Sequence, residues 1–471
     1  MSYIDEYLAD TESYRDSIAT VDAQGKRIWL YPLPPKGPYF TKRIWATIGF
    51  LAVFLAGPWI KIQGQPLLMF NIFERKFVIL GQLFLPQDFI LFGLGMIIFV
   101  IFIALFTVTF GRIWCGWLCP QTVFMEMIFR PIEYALEGSG RQQKKLDDGP
   151  WTMDKIVRKS IKHAIFLLFS ILIAHVTMAY LIGIDQVIQI VQTSPAENWK
   201  GFLGLLAFTG IFYFVFSRLR EQVCVAICPY GRLQGVLVNE DTLNVIYDDV
   251  RGEPRGKITK GDFGSTPKGD CIDCKLCVQV CPTGIDIRNG IQLECVNCTA
   301  CIDACDTVME KIERPKGLIR YSSVNAIKKN KPFTFTSRAK AYSAILLVLV
   351  SLEGYLLWSR TEIESTLLRV PGQLYQETNR GTFTNLYNVQ MVNKTNDEQV
   401  ITLHLVEPTG ILKTIDGSTQ FKIAPGSKKE VVFFIEVPKE DIKTRKTEVE
   451  LEVKVHDRVV ETLTSNFVGP L

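Results

Sequence analysis

Five apolar stretches are long enough to cross a bilayer as helices, a crossing needing about 20 residues. They run from Ile44 to Ile60, bracketed by Arg43 and Lys61, then Phe89 to Gly111, His163 to Ile184, Gly201 to Ser217, and Ala341 to Ser359, the last interrupted by Glu353. Between the first two, Pro66 to Pro86 holds two apolar runs split by Glu74, Arg75 and Lys76. Each run is too short to cross, which predicts an interfacial or extracytoplasmic hairpin. After Arg360 the pattern changes to short runs rich in Val, Ile, Thr and Phe: Gln399 to Val406, Glu430 to Val437 and Thr447 to Val455. Turn signals such as Pro408-Thr409-Gly410 and Pro425-Gly426 separate them. Roughly 110 residues of this kind predict one β-sandwich of immunoglobulin-like size. The Cys–Trp–Cys marks of antibody domains are absent from it.

Charge orients the spans. Loop 112–162 carries nine Lys and Arg and segment 218–340 nineteen, against three in 61–88 and one in 185–200. Basic loops stay in the cytoplasm, so the N-terminus is expected inside and the C-terminus outside. The chain thus reads as multidomain. Residues 1–43 form a cytoplasmic N-terminal segment without a visible cleavable signal, and 44–230 an α-helical membrane domain of four helices. Residues 231–338 form a cytoplasmic two-cluster ferredoxin domain, 339–360 the fifth transmembrane helix, and 361–471 a periplasmic all-β immunoglobulin-like domain. Over 471 residues, 48% hydrophobic content with 21% charge suits such a mixture, and a net charge of +4 gives no argument for nucleic acid. No P-loop and no G-x-G-x-x-G after a strand marks a nucleotide or flavin domain. Electrons must therefore arrive from outside the chain or from a cofactor whose site leaves no short motif.

All twelve cysteines lie between positions 115 and 305. Cys271, Cys274, Cys277 and Cys281 repeat at one constant offset as Cys295, Cys298, Cys301 and Cys305, each set spaced C-x2-C-x2-C-x3-C. In two-cluster ferredoxins three ligands come from one loop and the fourth from the other motif. Cys271, Cys274, Cys277 and Cys305 should therefore hold one [4Fe–4S] cluster, and Cys295, Cys298, Cys301 and Cys281 the second. Zinc is the rival ligand, and two identical four-cysteine runs fit its spacings poorly. Pro282 follows the first motif as the pattern expects, whereas Asp306 follows the second.

The other four cysteines form two C-x3-C-P motifs, Cys115/Cys119 and Cys224/Cys228, each following a membrane helix, and both cysteines of the first recur in the second at the same displacement. The membrane part is thus an internal repeat of two helical hairpins, each ending in a dithiol. A helix continuing through the motif would point both thiols the same way. Two such pairs could converge as four soft ligands suited to Cu(I), zinc or an iron–sulfur species, or cycle to disulfides, or serve as small apolar packing residues. His163 and His175 lie on one helix, several turns apart, and cannot clamp one haem. His175 is expected to be a hydrogen-bonded structural group, Glu353 to sit near the outer interface, and His404 and His456 to be ordinary residues of the β domain.

The order of these parts resembles the cytochrome c oxidase accessory proteins called CcoG, also FixG or RdxA, over nearly the whole chain. The resemblance implies a bacterial inner-membrane protein, a cupric reductase that reduces Cu(II) to Cu(I) for assembly of cbb3-type haem–copper oxidase. It implies two [4Fe–4S] clusters, with copper as a further ligand and Cys115, Cys119, Cys224 and Cys228 as the catalytic copper site. The implied partners are copper ions, oxidase subunits or copper chaperones, a separate electron donor and membrane lipid. A homodimer is an open alternative. The competing readings are a quinol-linked electron-transfer subunit feeding a partner reductase and an assembly scaffold with regulatory redox centres.

Overall fold

The second apolar stretch contains no charge from Phe89 to Phe110, and as a helix of 22 residues it is about 33 Å long, enough for a bilayer core. The computed structural model, which describes residues 20, 21, 24, 26–256, 269–329, 334–370, 375–378, 381–415, 417–442 and 444–470, has five such helices. They are Pro38–Trp59, Pro86–Phe110, Met153–Ile182, Trp199–Leu219 and Ser337–Trp358. The third starts at Met153, well before the expected His163. Its polar first turns are held by ion pairs: Lys159 Nζ lies 3.0 Å from Glu137 Oε1, and Lys162 Nζ 2.9 Å from the same oxygen. It stops at Gly183, whose φ of +90° lets the chain leave the helix.

The chain divides into two compact units. One comprises Met1–Ala56, Met96–Ala179 and Ile184–Val350; the other comprises Gly57–Gly95, Tyr180–Gly183 and Ser351–Leu471. This grouping differs from the linear domain order expected above, because the segment after the first helix joins the β domain instead of the membrane helices.

In the second unit, strands β1 (Lys61–Ile62) and β2 (Gln65–Pro66) form a small pair. Strands β3 (Leu68–Asn71), β4 (Lys76–Ile79) and β5 (Gln82–Phe84) form the meander where a hairpin was expected. Val78, Leu83 and Leu85 bury against Val392 of the β domain. Beside them Asp88 Oδ2 meets Arg360 Nη2 at 2.7 Å, and its Oδ1 meets Lys394 Nζ at 2.7 Å.

The β domain is a sandwich. Its first sheet orders β12 (Ile411–Thr414), β14 (Lys428–Pro438), β10 (Thr382–Asn393) and β8 (Ile363–Arg369), with β9 (Gln376–Glu377) also on β10. The second orders β13 (Gln420–Ile423), β11 (Gln399–Glu407), β15 (Lys446–Val455) and β16 (Arg458–Val468). Alternation fills the core, as in β15, where Val449, Leu451 and Val453 point inward with no exposure. Strand β10 was not singled out from sequence. Two of its positions, Asn385 and Asn393, are buried polar residues that blur the alternation, and their side chains donate to the Val468 and Ile423 carbonyls instead.

In the first unit, an aromatic core of Phe124, Phe129, Phe166 and Phe216 joins the membrane helices, with Phe129 stacked on Phe216 at 4.4 Å. Strands β6 (Asn244–Tyr247) and β7 (Ile319–Ser322) pair antiparallel and flank the two four-cysteine loops.

Candidate redox site

Each four-cysteine loop owes its curl to two left-handed residues at matching positions. Asp273 (φ +51°) and Lys275 (φ +56°) in the first recur, at the offset of the cysteines themselves, as Asn297 (φ +54°) and Thr299 (φ +65°) in the second. Such kinks turn successive amides into a concavity that suits an anionic group, iron–sulfur sites included. A small cavity is lined by Cys271, Cys274, Cys277 and Cys305. A second is lined by Cys281, Cys295, Cys298 and Cys301, and Cys277 also reaches its wall. These are the two expected sets, each with its fourth thiol supplied by the other motif. Burial pushes Cys277, Cys295 and Cys305 up to about 12 and Cys298 up to about 11. Burial thus disfavours bare thiolates there, and the thiols that line the two cavities are the donor chemistry of a [4Fe–4S] group. Asp306 replaces the expected proline without harm to the loop: the helix Ala300–Lys311 runs on through it, and its Oδ1 accepts from the Gly317 amide at 2.8 Å.

The C-x3-C-P repeat is a repeat of backbone as well as of sequence. Gly111 (φ +57°) precedes the first motif, and Arg220 (φ +55°), at the equivalent place in the repeat, precedes the second. A left-handed arginine is uncommon, and this one is fixed by a buried bidentate pair with Glu133, at 2.8 and 2.9 Å. The helices do not continue through the motifs. Cys119 and Cys228 have extended backbones and cap the next helices, Pro120–Val123 and Pro229–Leu237, with proline in the first turn. The condition for both thiols sharing one helical face is therefore not met, because proline cannot donate the amide a continuous helix would need.

The four thiols nevertheless gather across the repeat. Cys115, Cys119, Cys224 and Cys228 all lie within electrostatic reach of one another. Each first cysteine is touched from the helix that follows the other motif: Gln234 Nε2 lies 3.8 Å from Cys115 Sγ, and Thr122 Oγ1 lies 3.9 Å from Cys224 Sγ. Burial pushes Cys115 up to about 11, partly offset by the Arg112 guanidinium, and Cys224 up to about 12. Cys119 is also raised by burial, against which the amides of Thr122 and Gln121 favour its thiolate. Among the described residues no group of three or more His, Cys, Asp or Glu side chains is gathered to single-ion distance. The four thiols are neighbours rather than a closed ion site.

The first cysteine of each motif packs on the second four-cysteine loop. Cys115, Val296 and Cys298 share one core with Cys224 at its edge. At Gly116 an added Cβ would stand 2.5 Å from the Val296 carbonyl oxygen. Trp117 Nε1 donates to Tyr321 Oη at 3.1 Å, and that hydroxyl donates to the Asn297 carbonyl at 3.1 Å. Arg43 Nε donates to the Gly116 carbonyl at 3.1 Å, and Arg112 donates to Gln234 and to the Leu293 carbonyl. Sequence reasoning missed Arg43, Arg112, Trp117, Gln234 and Tyr321. Only the Trp-Cys-Gly-Trp run around Cys115 hinted at a crowded interface.

The histidines are accounted for otherwise. His175 is half-buried, its Nδ1 2.7 Å from the Ile171 carbonyl, and His163 Nδ1 lies 2.9 Å from Tyr213 Oη. Glu353 lies in the last turns of the fifth helix.

Comparison with known proteins matches residues 219–324 to a 4Fe-4S dicluster domain, 92–136 to a 4Fe-4S binding domain and 354–470 to the IG-like fold at the C-terminal of FixG. Protein RdxA of Cereibacter sphaeroides is 30% identical over 83% of this chain and 84% of its own length. Protein RdxB of the same organism is 30% identical over 84% and 86%. Nitrogen fixation protein FixG of Rhizobium meliloti is 34% identical over 64% of this chain and 58% of its own. A solved FixG-related protein from Vibrio parahaemolyticus overlies 24% of this chain and all of its own, at 16% identity and a TM-score of 0.21.

Proposed function

The chain belongs to the FixG/RdxA family, and on that premise we propose that it reduces Cu(II) to Cu(I) for delivery to a cbb3-type haem–copper oxidase under assembly. It is an iron–sulfur electron-transfer protein with five membrane helices. Cys271, Cys274, Cys277 and Cys305 would hold one [4Fe–4S] cluster, and Cys281, Cys295, Cys298 and Cys301 the other. When bound, such clusters supply single electrons at low potential.

One observation carries the reading: Cys115 and Cys224, one thiol from each C-x3-C-P motif, share a core with Val296 and Cys298 of the second four-cysteine loop, with Cys119 and Cys228 within electrostatic reach of both. Soft thiol sulfur prefers Cu(I) to Cu(II), so these side chains favour the reduced form of the substrate. Metal binding displaces the protons that burial keeps on Cys115 and Cys224. Arg112 offsets part of that cost at Cys115, as the Gln121 and Thr122 amides do at Cys119. The excess of lysine and arginine in 112–162 and 218–340 supports a bacterial inner-membrane protein with thiols and ferredoxin loops in the cytoplasm and the β domain in the periplasm.

The test is anaerobic purification with metal analysis, followed by stopped-flow addition of Cu(II) to the reduced protein. Iron and sulfide near two cubanes per chain are expected. Replacing Cys115, Cys119, Cys224 and Cys228 by serine should keep the cluster spectrum while removing tight Cu(I) binding and slowing cluster oxidation. Equal affinity and equal rates in the variant would reject the copper site, and stoichiometric zinc without iron would reject the clusters.

A further inference from the structure

Asp303 lies on the helix Ala300–Lys311 between Cys301 and Cys305, which the assignment above gives to different clusters. It is only 2% exposed. Its carboxylate accepts from the amides of Tyr39 at 3.1 Å and Phe40 at 2.8 Å, in the first turn of the first membrane helix. Amides there have no acceptor within their own helix. The approach depends on Gly37, where φ is +150° and an added Cβ would stand 2.4 Å from Asp303 Cγ.

The residues just before Gly37 rest on the other four-cysteine motif. Leu33 N donates to the Gln279 carbonyl at 2.8 Å. Gly284 (φ +74°) receives the Leu30 side chain so closely that an added Cβ would be 2.7 Å from its Cδ2. The same segment is fastened to the membrane side of the unit. Tyr31 Oη donates to Asp147 at 2.7 Å, Tyr134 Oη donates to the Pro32 carbonyl at 3.2 Å, and Arg27 pairs with Glu221 at 2.7 Å. Trp29 lies against the guanidinium groups of Arg27 and Arg220, at 4.4 and 4.7 Å.

We propose that the chain from Arg27 to Phe40 is a strap that seats both four-cysteine loops on the membrane helices, with Asp303 as its positioning residue. The loops have few covalent ties to those helices, so their distance from the C-x3-C-P thiols depends on such contacts. Two amides and the positive end of a helix also compensate a carboxylate that would otherwise be a buried negative charge beside Cys301 and Cys305. The proposal rests on the cluster assignment for its electrochemical readout alone.

The experiment compares Asp303→Ala, Asp303→Asn and Gly37→Ala in the full-length reconstituted protein. Gly37→Ala alters the strap at its contact with Asp303 while leaving every residue of both loops unchanged. Hydrogen exchange across residues 271–305 and EPR-monitored redox titration are the measurements. In Asp303→Ala and Gly37→Ala, amide exchange should quicken in both loops and the potentials of both clusters should rise as solvent gains access. Asparagine, which can still accept one amide bond, should give the smaller change. Exchange and potentials unchanged in all three variants, with at most a lower melting temperature, would overturn the proposal and leave Asp303 a simple helix cap. Wild-type iron below two cubanes would fault the cluster assignment instead, while the exchange measurement would still judge the strap.

Discussion

Replacing Gly116 by alanine tests whether the first C-x3-C-P motif is held against the second ferredoxin loop. The new Cβ would lie 2.5 Å from the Val296 oxygen and 2.9 Å from both the carbonyl carbon and oxygen of Asn297. Ordinary contact begins near 3.4 Å, so the surfaces must part by about 0.9 Å. All three obstructing atoms are backbone, and no side chain can rotate aside. Overpacking of this kind costs about 1–3 kcal/mol, with backbone obstruction placing it at the upper end. Alanine returns about 1 kcal/mol as the better helix former, leaving a net loss of about 2 kcal/mol. The assay is chemical denaturation in detergent with cluster absorbance as the probe, paired with stopped-flow oxidation by Cu(II). A separation near 1 Å can cost up to about 100-fold in a step that needs close positioning, so a rate loss of about 10-fold or more is expected with iron content unchanged. Wild-type stability together with a wild-type rate would refute the reasoning, because it would mean that the contact carries neither.

Asp306→Pro, which restores the residue the ferredoxin pattern expects, should destabilise the loops by about 3 kcal/mol, since the proline would fall inside a continuing helix. Faster cluster loss on mild heating would report it, and a gain in stability would contradict the helical account. Asp88→Ala should destabilise the second unit by about 3 kcal/mol, the low end for a broken buried ion pair, because Lys394 keeps Glu364 at 2.7 Å while Arg360 loses its carboxylate. Urea denaturation of the purified protein measures this, and an unchanged midpoint would show that the ion-pair group is not structural. Alkaline phosphatase fused after Arg360 should be active and after Arg320 inactive; the reverse would invert the membrane orientation.

The legible parts of this molecule were those written in local patterns. Membrane crossing depends on the length of an uncharged run, so all five helices could be read, with errors only at ends such as Met153, where ion pairs extend a polar turn. The two ligand runs were equally local, because the spacing of Cys271 to Cys281 and Cys295 to Cys305 stands in the chain itself, whereas the curl of each loop rests on its left-handed residues. Strand β10 was harder, since Asn385 and Asn393 are buried for hydrogen bonds that only the folded sandwich supplies.

The sequence by itself therefore determined the helices, the two four-cysteine runs and the β class, along with the existence of a repeat. Tertiary structure alone decided that Cys115 and Cys224 become neighbours, that Gly116 lies on Val296, that Asp303 takes the amides of Tyr39 and Phe40, and that the segment after the first helix joins the β domain. Each of these joins residues far apart in the chain. Hydrophobic length and ligand spacing act within a few turns of backbone. Contacts such as these depend instead on complementary surfaces that exist only once distant segments have packed, and no local pattern encodes which surface will meet which.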